Sequence, residues 1–268
     1  MATTTEKRRG TLISRLRIPL AAIGGVMSIA GAILSIRWLA LPGLALFVVG
    51  MVLYFRFGAV KAAPIPVSPP VRGTWTVINS PSSKVPSHGL HAYGQTYAVD
   101  LVPNADGEDN LSLGWDAGMR PPDRYRGFGE KVYSPVEGTV VAVKDGARDH
   151  LSRDSWPALG FFFAESAARE LTGPGRLLGN HVTIEVEPGV YAVLAHLRRN
   201  SIAVRPGDRV RPGQEVGACG NSGSSTQPHL HFQLMDRKSP LIGAGLPFEF
   251  RVGGKEIPLP GNGELLTA

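Results

Sequence analysis

Residues 204–234 read VRPGDRVRPGQEVGACGNSGSSTQPHLHFQL. Two Pro-Gly pairs, Pro206-Gly207 and Pro212-Gly213, mark turns a few residues apart. The short runs beside them, DRVR and QEV, each set one valine among polar residues, the pattern of short, closely spaced strands. The block ends in a strand that carries two histidines one residue apart. Strand side chains alternate faces, so His229 and His231 point to one side and Leu230 and Phe232 to the other. An isolated His-x-His is more often a solvated or hydrogen-bonded pair than a site. A metal centre needs further ligands elsewhere in the chain.

The same texture continues upstream. TWTVIN, TYAVDLV, KVYSPVEGTVVAVKDG and NHVTIEVEPGVYAVLAHL are short apolar or alternating runs separated by glycine and proline. They predict an all-β sandwich or barrel over residues 74–268, with VEPGVY as a hairpin turn. Residues 147–178 break the pattern. Their middle predicts one helix, capped by Asp154 or Ser155 and stopped at Gly173-Pro174, inserted on the sheet as a candidate lid. Residues 103–129, rich in Gly, Pro and Asp, read as a second long loop.

The N-terminus is of another kind. Ile18–Ile36 and Trp38–Phe55 contain no charge, and each is long enough to cross a ~30 Å hydrocarbon core as a helix. Arg37 and Trp38 separate them, and Pro42-Gly43 follow soon after, which predicts a tight hairpin or a break. Trp38, Tyr54 and Phe55 sit where interfacial aromatics belong. A cleaved signal peptide has a shorter apolar core, so residues 18–57 read as a transmembrane helical hairpin. Residues 1–17, with Lys7, Arg8, Arg9, Arg15 and Arg17, form a basic segment that the positive-inside bias assigns to the cytoplasm. Residues 58–73 are a proline-rich spacer.

The chain of 268 residues has a formal net charge of +6, but its basic residues are scattered and not interleaved with aromatics, which argues against nucleic acid as a partner. The single cysteine, Cys219, excludes an internal disulfide and a cysteine-based zinc cluster.

Of the seven histidines, His150 lies among charged residues and reads as solvated. His196 ends the apolar run VYAVLAHL, and Asp100 interrupts TYAVDLV. A carboxylate buried without a partner is costly, so Asp100 should be paired or metal-bound. With His-x-His, these residues make a His/Asp/His set of the kind that holds a catalytic zinc with an open position. No His-Glu-x-x-His helix is present.

From Val132 to Phe232 the chain resembles the lysostaphin-like (LytM-type) zinc metallopeptidases of bacterial cell walls. VYSPVEGTVVAV, GNHVTIEV…YAVLAHL and the closing block that ends in His-x-His occur in that family's order. The resemblance implies a lysostaphin-like β fold (a duplicated hybrid motif) with one helical insertion. It also implies one Zn2+ per chain and hydrolysis of peptide cross-bridges in peptidoglycan. Carried over residue by residue, His231 and Asp100 are zinc ligands. His229 is a catalytic base or transition-state stabiliser, and His196 is its partner. The family's remaining histidine stands four residues before the aspartate, where this chain has Thr96. His88, in the turn SHG, is the favoured ligand, with His91 as the alternative. The implied location is the bacterial cell membrane with the peptidase domain on the wall side, in conflict with the positive-inside reading.

Two other readings compete. A LytM-type module without catalysis could activate other wall hydrolases, and failure to bind zinc would favour it. SPVEGTVVAV and VRPGDRVRPGQEVG also resemble halves of biotinyl or lipoyl domains, but the turn VEPGVY lacks the lysine such domains modify.

Overall fold

The computed structural model describes residues 12–104, 115 and 119–268. The basic residues 1–11 and much of the loop 103–129 lie outside them. Two helices open the chain, α1 (Leu12–Ile33) and α2 (Arg37–Arg56). Both are long and apolar enough to cross a membrane. The break falls at residues 34–36, and Pro42 lies inside α2 without ending it. Pro42 is the sixth residue of α2 and has no N–H to give Trp38 O, yet the helix continues through it, so the expected hairpin turns at residues 34–36 and not at Pro42-Gly43.

Glycines let the two helices approach closely and antiparallel. A Cβ at Gly24 would fall 2.3 Å from Phe47 N, at Gly31 2.4 Å from Ala40 N, at Gly43 2.5 Å from Ser28 N and at Gly50 2.4 Å from Ala21 N. Any larger residue there would push the backbones apart.

The remaining chain forms β1 (Ile65–Val67), β2 (Thr74–Ile78), β3 (Val99–Pro103), β4 (Lys131–Tyr133) and β5 (Gly138–Lys144). Helices α3 (Trp156–Leu171) and α4 (Pro174–Leu177) follow. Next come β6 (Asn180–Glu187), β7 (Val190–Leu197), β8 (Arg209–Val210), β9 (Glu215–Ala218) and β10 (Leu230–Met235). The last strands are β11 (Gly245–Leu246), β12 (Phe248–Val252), β13 (Lys255–Ile257) and β14 (Leu265–Thr267). Ser155 caps α3, its hydroxyl accepting from Ala158 N, and the helix ends just before Gly173.

Nine strands form one sheet in the order β14-β2-β3-β10-β7-β6-β5-β8, with β11 beside β10. The path is open, so hydrogen bonding does not close a barrel among the described residues. Two small sheets, β1-β12-β13 and β4-β9, accompany it.

Alternation sorts the two faces of the central strands. Val99 and Leu101 of β3, Leu194 of β7, and Leu230, Phe232 and Leu234 of β10 join the main core. There Phe232 meets Phe248 edge to face at 4.8 Å. At full burial each such side chain contributes about 1.5–3 kcal/mol. The opposite face of β10 carries His231, Gln233 and Met235, all buried. Against it lie Val193 and Ala195 of β7, with Leu178 from the end of the insertion.

Helices α1 and α2 also touch the β domain. Arg17 is fully buried and donates from Nη2 to Gly243 O at 3.0 Å. His91 N donates to Tyr54 O at 3.0 Å. The hydroxyls of Tyr54 and Tyr93 both donate to Glu170 Oε1, at 2.8 and 2.6 Å. Tyr54 at the end of α2, Tyr93 near the domain's first long loop and Glu170 of α3 thus share one contact.

Candidate metal centre

Strand register assembles the centre. His231 of β10 lies opposite Asp100 of β3 on one side and Ala195 of β7 on the other. His229 pairs with Gly220 just before β10 begins. His88 arrives from the loop between β2 and β3 rather than from a strand.

His196 reaches the same face by a local irregularity. Along β7, Ala192 and Leu194 face the main core while Val193 and Ala195 face the site. Strict alternation would send His196 into the core. The β6–β7 register shifts between Asn180 and Val182, which places two residues of β7 opposite one of β6. His196 occupies that bulge with φ +61°, a left-handed conformation uncommon for a residue with a Cβ. The turn brings its ring to 4.8 Å from that of His229 and 5.6 Å from that of His231.

Asp100 is the hub. His231 Nδ1 lies 2.8 Å from Oδ1, and His88 Nε2 lies 3.0 Å from Oδ2. His229 Nε2 is 3.6 Å from Oδ1, and Asn79 Nδ2 donates to Oδ2 at 2.8 Å. Ligand atoms of His88, Asp100 and His231 all lie within 4.8 Å of one another, a group that could hold a metal ion. His91 is elsewhere. It is buried with Nδ1 3.1 Å from Thr96 Oγ1, so the structure brings His88, and not His91, to Asp100.

The outer hydrogen bonds fix where the imidazole protons sit. Gln233 Nε2 donates to Tyr93 O at 2.8 Å, which turns its Oε1 toward His231 Nε2 at 2.9 Å. That nitrogen therefore carries the proton. Ser87 Oγ donates to Gln95 O at 3.1 Å and so accepts from His88 Nδ1 at 3.0 Å. His229 Nδ1 donates to Gln227 O and His196 Nδ1 to Ser222 O, each at 2.8 Å.

In the neutral rings, each of the four then keeps its lone pair on the other nitrogen. For His88 and His231 that lone pair faces a carboxylate oxygen at hydrogen-bond distance. Two lone pairs in such contact repel unless a cation lies between them. The donor set thus fits a divalent metal, with outer partners of the kind that orient ligating histidines.

Burial tends to raise the Asp100 carboxyl, but His88 and His229, with hydrogen bonds from His231 and His88, hold it well below the usual range. Burial tends to lower His231, and the hydrogen bond and charge of Asp100 override it, holding it above its ordinary value. His196 is pushed well below its ordinary value by burial and then by His229 and His231. Burial also lowers His229, against the pull of Asp100.

Gln233 and Asn79 were missed from sequence. Gln233 stands two residues after His231, so period-two reading would have placed it on the same face. Asn79 follows β2 in a left-handed conformation, φ +53°, and nothing in its neighbours announces a contact with Asp100.

Residues 166–242 match Peptidase family M23, a span that includes His196, His229 and His231. The chain carries a Peptidase family M23 domain. It is similar to peptidoglycan DD-endopeptidase ShyA of Vibrio cholerae, 36% identical over 81 residues, covering 30% of this chain and 18% of that protein. It is also similar to lysostaphin of Staphylococcus simulans, 34% identical over 93 residues, or 32% and 18% of the two chains. The matches to ShyA and to the related ShyB span only 18% and 25% of those proteins' lengths. The solved catalytic domain of lysostaphin from Staphylococcus simulans aligns at 21% identity and TM-score 0.33, over 65% of this chain and 88% of that one.

Proposed function

We propose that this protein is a membrane-anchored zinc metalloendopeptidase that hydrolyses peptide cross-bridges of bacterial peptidoglycan. Residues 74–268 form its peptidase domain, residues 18–57 its transmembrane helical hairpin and residues 58–73 the spacer between them. His88, Asp100 and His231 hold one Zn2+. The observation that carries the reading is the gathering of four histidines at one buried carboxylate: nitrogens of His88, His231 and His229 lie 3.0, 2.8 and 3.6 Å from Asp100, and the His196 ring lies 4.8 Å from that of His229. Two of them serve as ligands and two remain as bases. The names of the peptidoglycan-cleaving relatives supply the substrate class.

Bound zinc supplies Lewis-acid polarisation of the scissile carbonyl and an acidified water, its pKa near about 7. The chain's own groups do the rest. His229, held through Nδ1 by Gln227 O, presents Nε2 to accept the proton of the attacking water and deliver it to the leaving amine. His196, held through Nδ1 by Ser222 O, presents a second neutral Nε2 beside it, a partner that can take the water's proton in place of His229 and pass it to the leaving amine. The bulge at His196 keeps both rings on the face of His231.

The test is metal analysis of the full chain in detergent micelles, with digestion of purified cell walls in parallel. About one zinc per chain and release of new amino termini from the walls are expected. Zinc without cleavage would identify a non-catalytic wall-binding module. Neither zinc nor cleavage would overturn the reading.

A further inference from the structure

The insertion that interrupts the β pattern contributes to a cavity of about 380 Å3 lined by Lys144, Arg148, His150, Arg169, Arg176 and the glycines 179 and 223, with Ala147. Four of these side chains are cations, and no carboxylate is among the lining residues. The neighbouring acids are committed elsewhere. Asp145 accepts from Gly146 N and Asn200 N, both at 2.7 Å. Asp149 accepts from Arg199 N at 2.9 Å and Asn221 N at 2.8 Å. Glu165 is shared between Arg153 at 3.1 Å and Arg169 at 2.7 Å, so one carboxylate serves two guanidiniums. Among the described residues Lys144 Nζ donates to a carbonyl, Gly175 O at 2.6 Å, and to no carboxylate. Arg148 and Arg176 are exposed at the cavity rim.

Like charges held around one hollow repel, and the repulsion is relieved by an anion placed among them. Burial and then Arg176 hold the Lys144 ammonium below its ordinary value. Burial likewise lowers Arg169, with Glu165 opposing it and Arg153 adding to it.

The cavity adjoins the metal centre. Gly179 and Gly223 lie in its wall, and a Cβ on Gly179 would fall 2.5 Å from the carbonyl carbon of Ser222. The carbonyl oxygen of Ser222 is the one that accepts from His196 Nδ1 at 2.8 Å. On its far side the next carbonyl, Gly223 O, accepts from His150 Nε2 at 2.8 Å and from Arg169 Nη1. One peptide layer, Ser222–Gly223, therefore has the His196 imidazole on one face and the basic cavity on the other.

We infer that this cavity receives a carboxylate of the peptide being cut, held by Lys144, Arg148, Arg169 and Arg176 across the Ser222–Gly223 peptide from His196. The inference rests on the proposed peptidase reading. It assigns the insertion a task in choosing substrate: a peptide with a free carboxylate near the scissile bond is bound, and one with that group amidated is discriminated against. Arginines suit the planar carboxylate, which accepts paired N–H donors.

The experiment compares two synthetic wall peptides, identical except that one carries a free carboxylate and the other its amide. The full chain in micelles is used as wild type, Arg148→Glu and Arg176→Glu. For the wild type, KM for the amide should exceed that for the acid by about tenfold, with similar kcat. Each charge reversal should raise KM for the acid to about the level of the amide, so that the two peptides are no longer told apart. Equal KM for acid and amide in the wild type, with both cleaved, would overturn the inference while leaving the peptidase reading intact.

Equilibrium binding of the acid peptide to zinc-depleted protein separates the two failures. If neither peptide is cut but the acid form still binds, and binds about tenfold more weakly to the variants, the cavity's role stands and the peptidase reading falls. Absence of that difference overturns the inference. So does variant-sensitive binding of a polyglycerol-phosphate polymer in place of the peptide.

Discussion

His231 Nε2 lies 2.9 Å from Gln233 Oε1, and the same amide donates from its nitrogen to Tyr93 O at 2.8 Å. The two side chains stand two residues apart on one face of β10 and lock a single tautomer, with the His231 lone pair on Nδ1. Gln233→Leu keeps the volume and removes the lock. Ligating residues typically lose 10–100-fold in metal affinity when such an outer partner is lost. Competition with a zinc chelator should show a loss in that range with the far-UV spectrum unchanged. An affinity equal to wild type would mean that His231 does not ligate through Nδ1.

The ligand set itself separates two neighbouring histidines. His88→Ala, Asp100→Ala and His231→Ala should each lose most of the bound zinc, as measured on purified protein. His91→Ala should keep it. That substitution instead leaves Thr96 without its partner, a loss of about 1–3 kcal/mol that appears as a lower melting temperature. Zinc lost from His91→Ala and kept by His88→Ala would reverse the assignment.

His196→Ala and His229→Ala should keep zinc and lose turnover by roughly 10²-fold or more, the scale for removing an acid-base group. Their shifts set the pH profile. Burial, as the leading cause, lowers both rings below the ordinary value of 6.5, so each stays neutral and able to accept a proton under more acidic conditions than a free histidine. The acid limb of kcat/KM should therefore fall below pH 6.5 and not above it. An acid limb in the range 7–8 would assign the base to another group.

Much of this centre was legible from local pattern. Alternation places His229 and His231 together, and a carboxylate inside an apolar strand marks Asp100 for a partner. The helix of the insertion followed from Ser155 and Gly173. His196 was legible only as an oddity, because its direction depends on a bulge set by β6 pairing and not by its own neighbours. The choice between His88 and His91 depended on the path of a long loop, which spacing along the chain does not determine. Cross-strand contacts, such as Asn79 with Asp100, and the meeting of Tyr54, Tyr93 and Glu170 arise from segments far apart in sequence. No window around any one of them contains the information.

The last prediction concerns which side of the membrane the domain faces. In the proposed reading α1 and α2 cross as a pair. Arg17, near the start of α1, donates to Gly243 O, and Tyr54, near the end of α2, accepts from His91 N. Both outer ends of the pair therefore meet the β domain, and Arg37 lies at the opposite end. The N-terminal segment and the domain should share a compartment. The basic residues 7–17 favour the cytoplasm for that side, but positive-inside is a bias and the proposed substrate, peptidoglycan, lies outside. We expect the wall side for the domain, with Arg37 in the cytoplasm. External protease on intact, wall-stripped cells should then remove the chain from Val60 onward, and an N-terminal epitope should be reached by antibody without permeabilisation. Arg37→Cys should react with an impermeant maleimide only after permeabilisation. The native thiol gives little background, since Cys219 is fully buried and its burial, helped by Glu130 and Asp149, pushes it well above the ordinary thiol range. Full protection of the domain, with a control substrate digested, would place it in the cytoplasm and make peptidoglycan the wrong substrate. An accessible domain with a protected N-terminus would instead mean that the two helices do not cross as a pair.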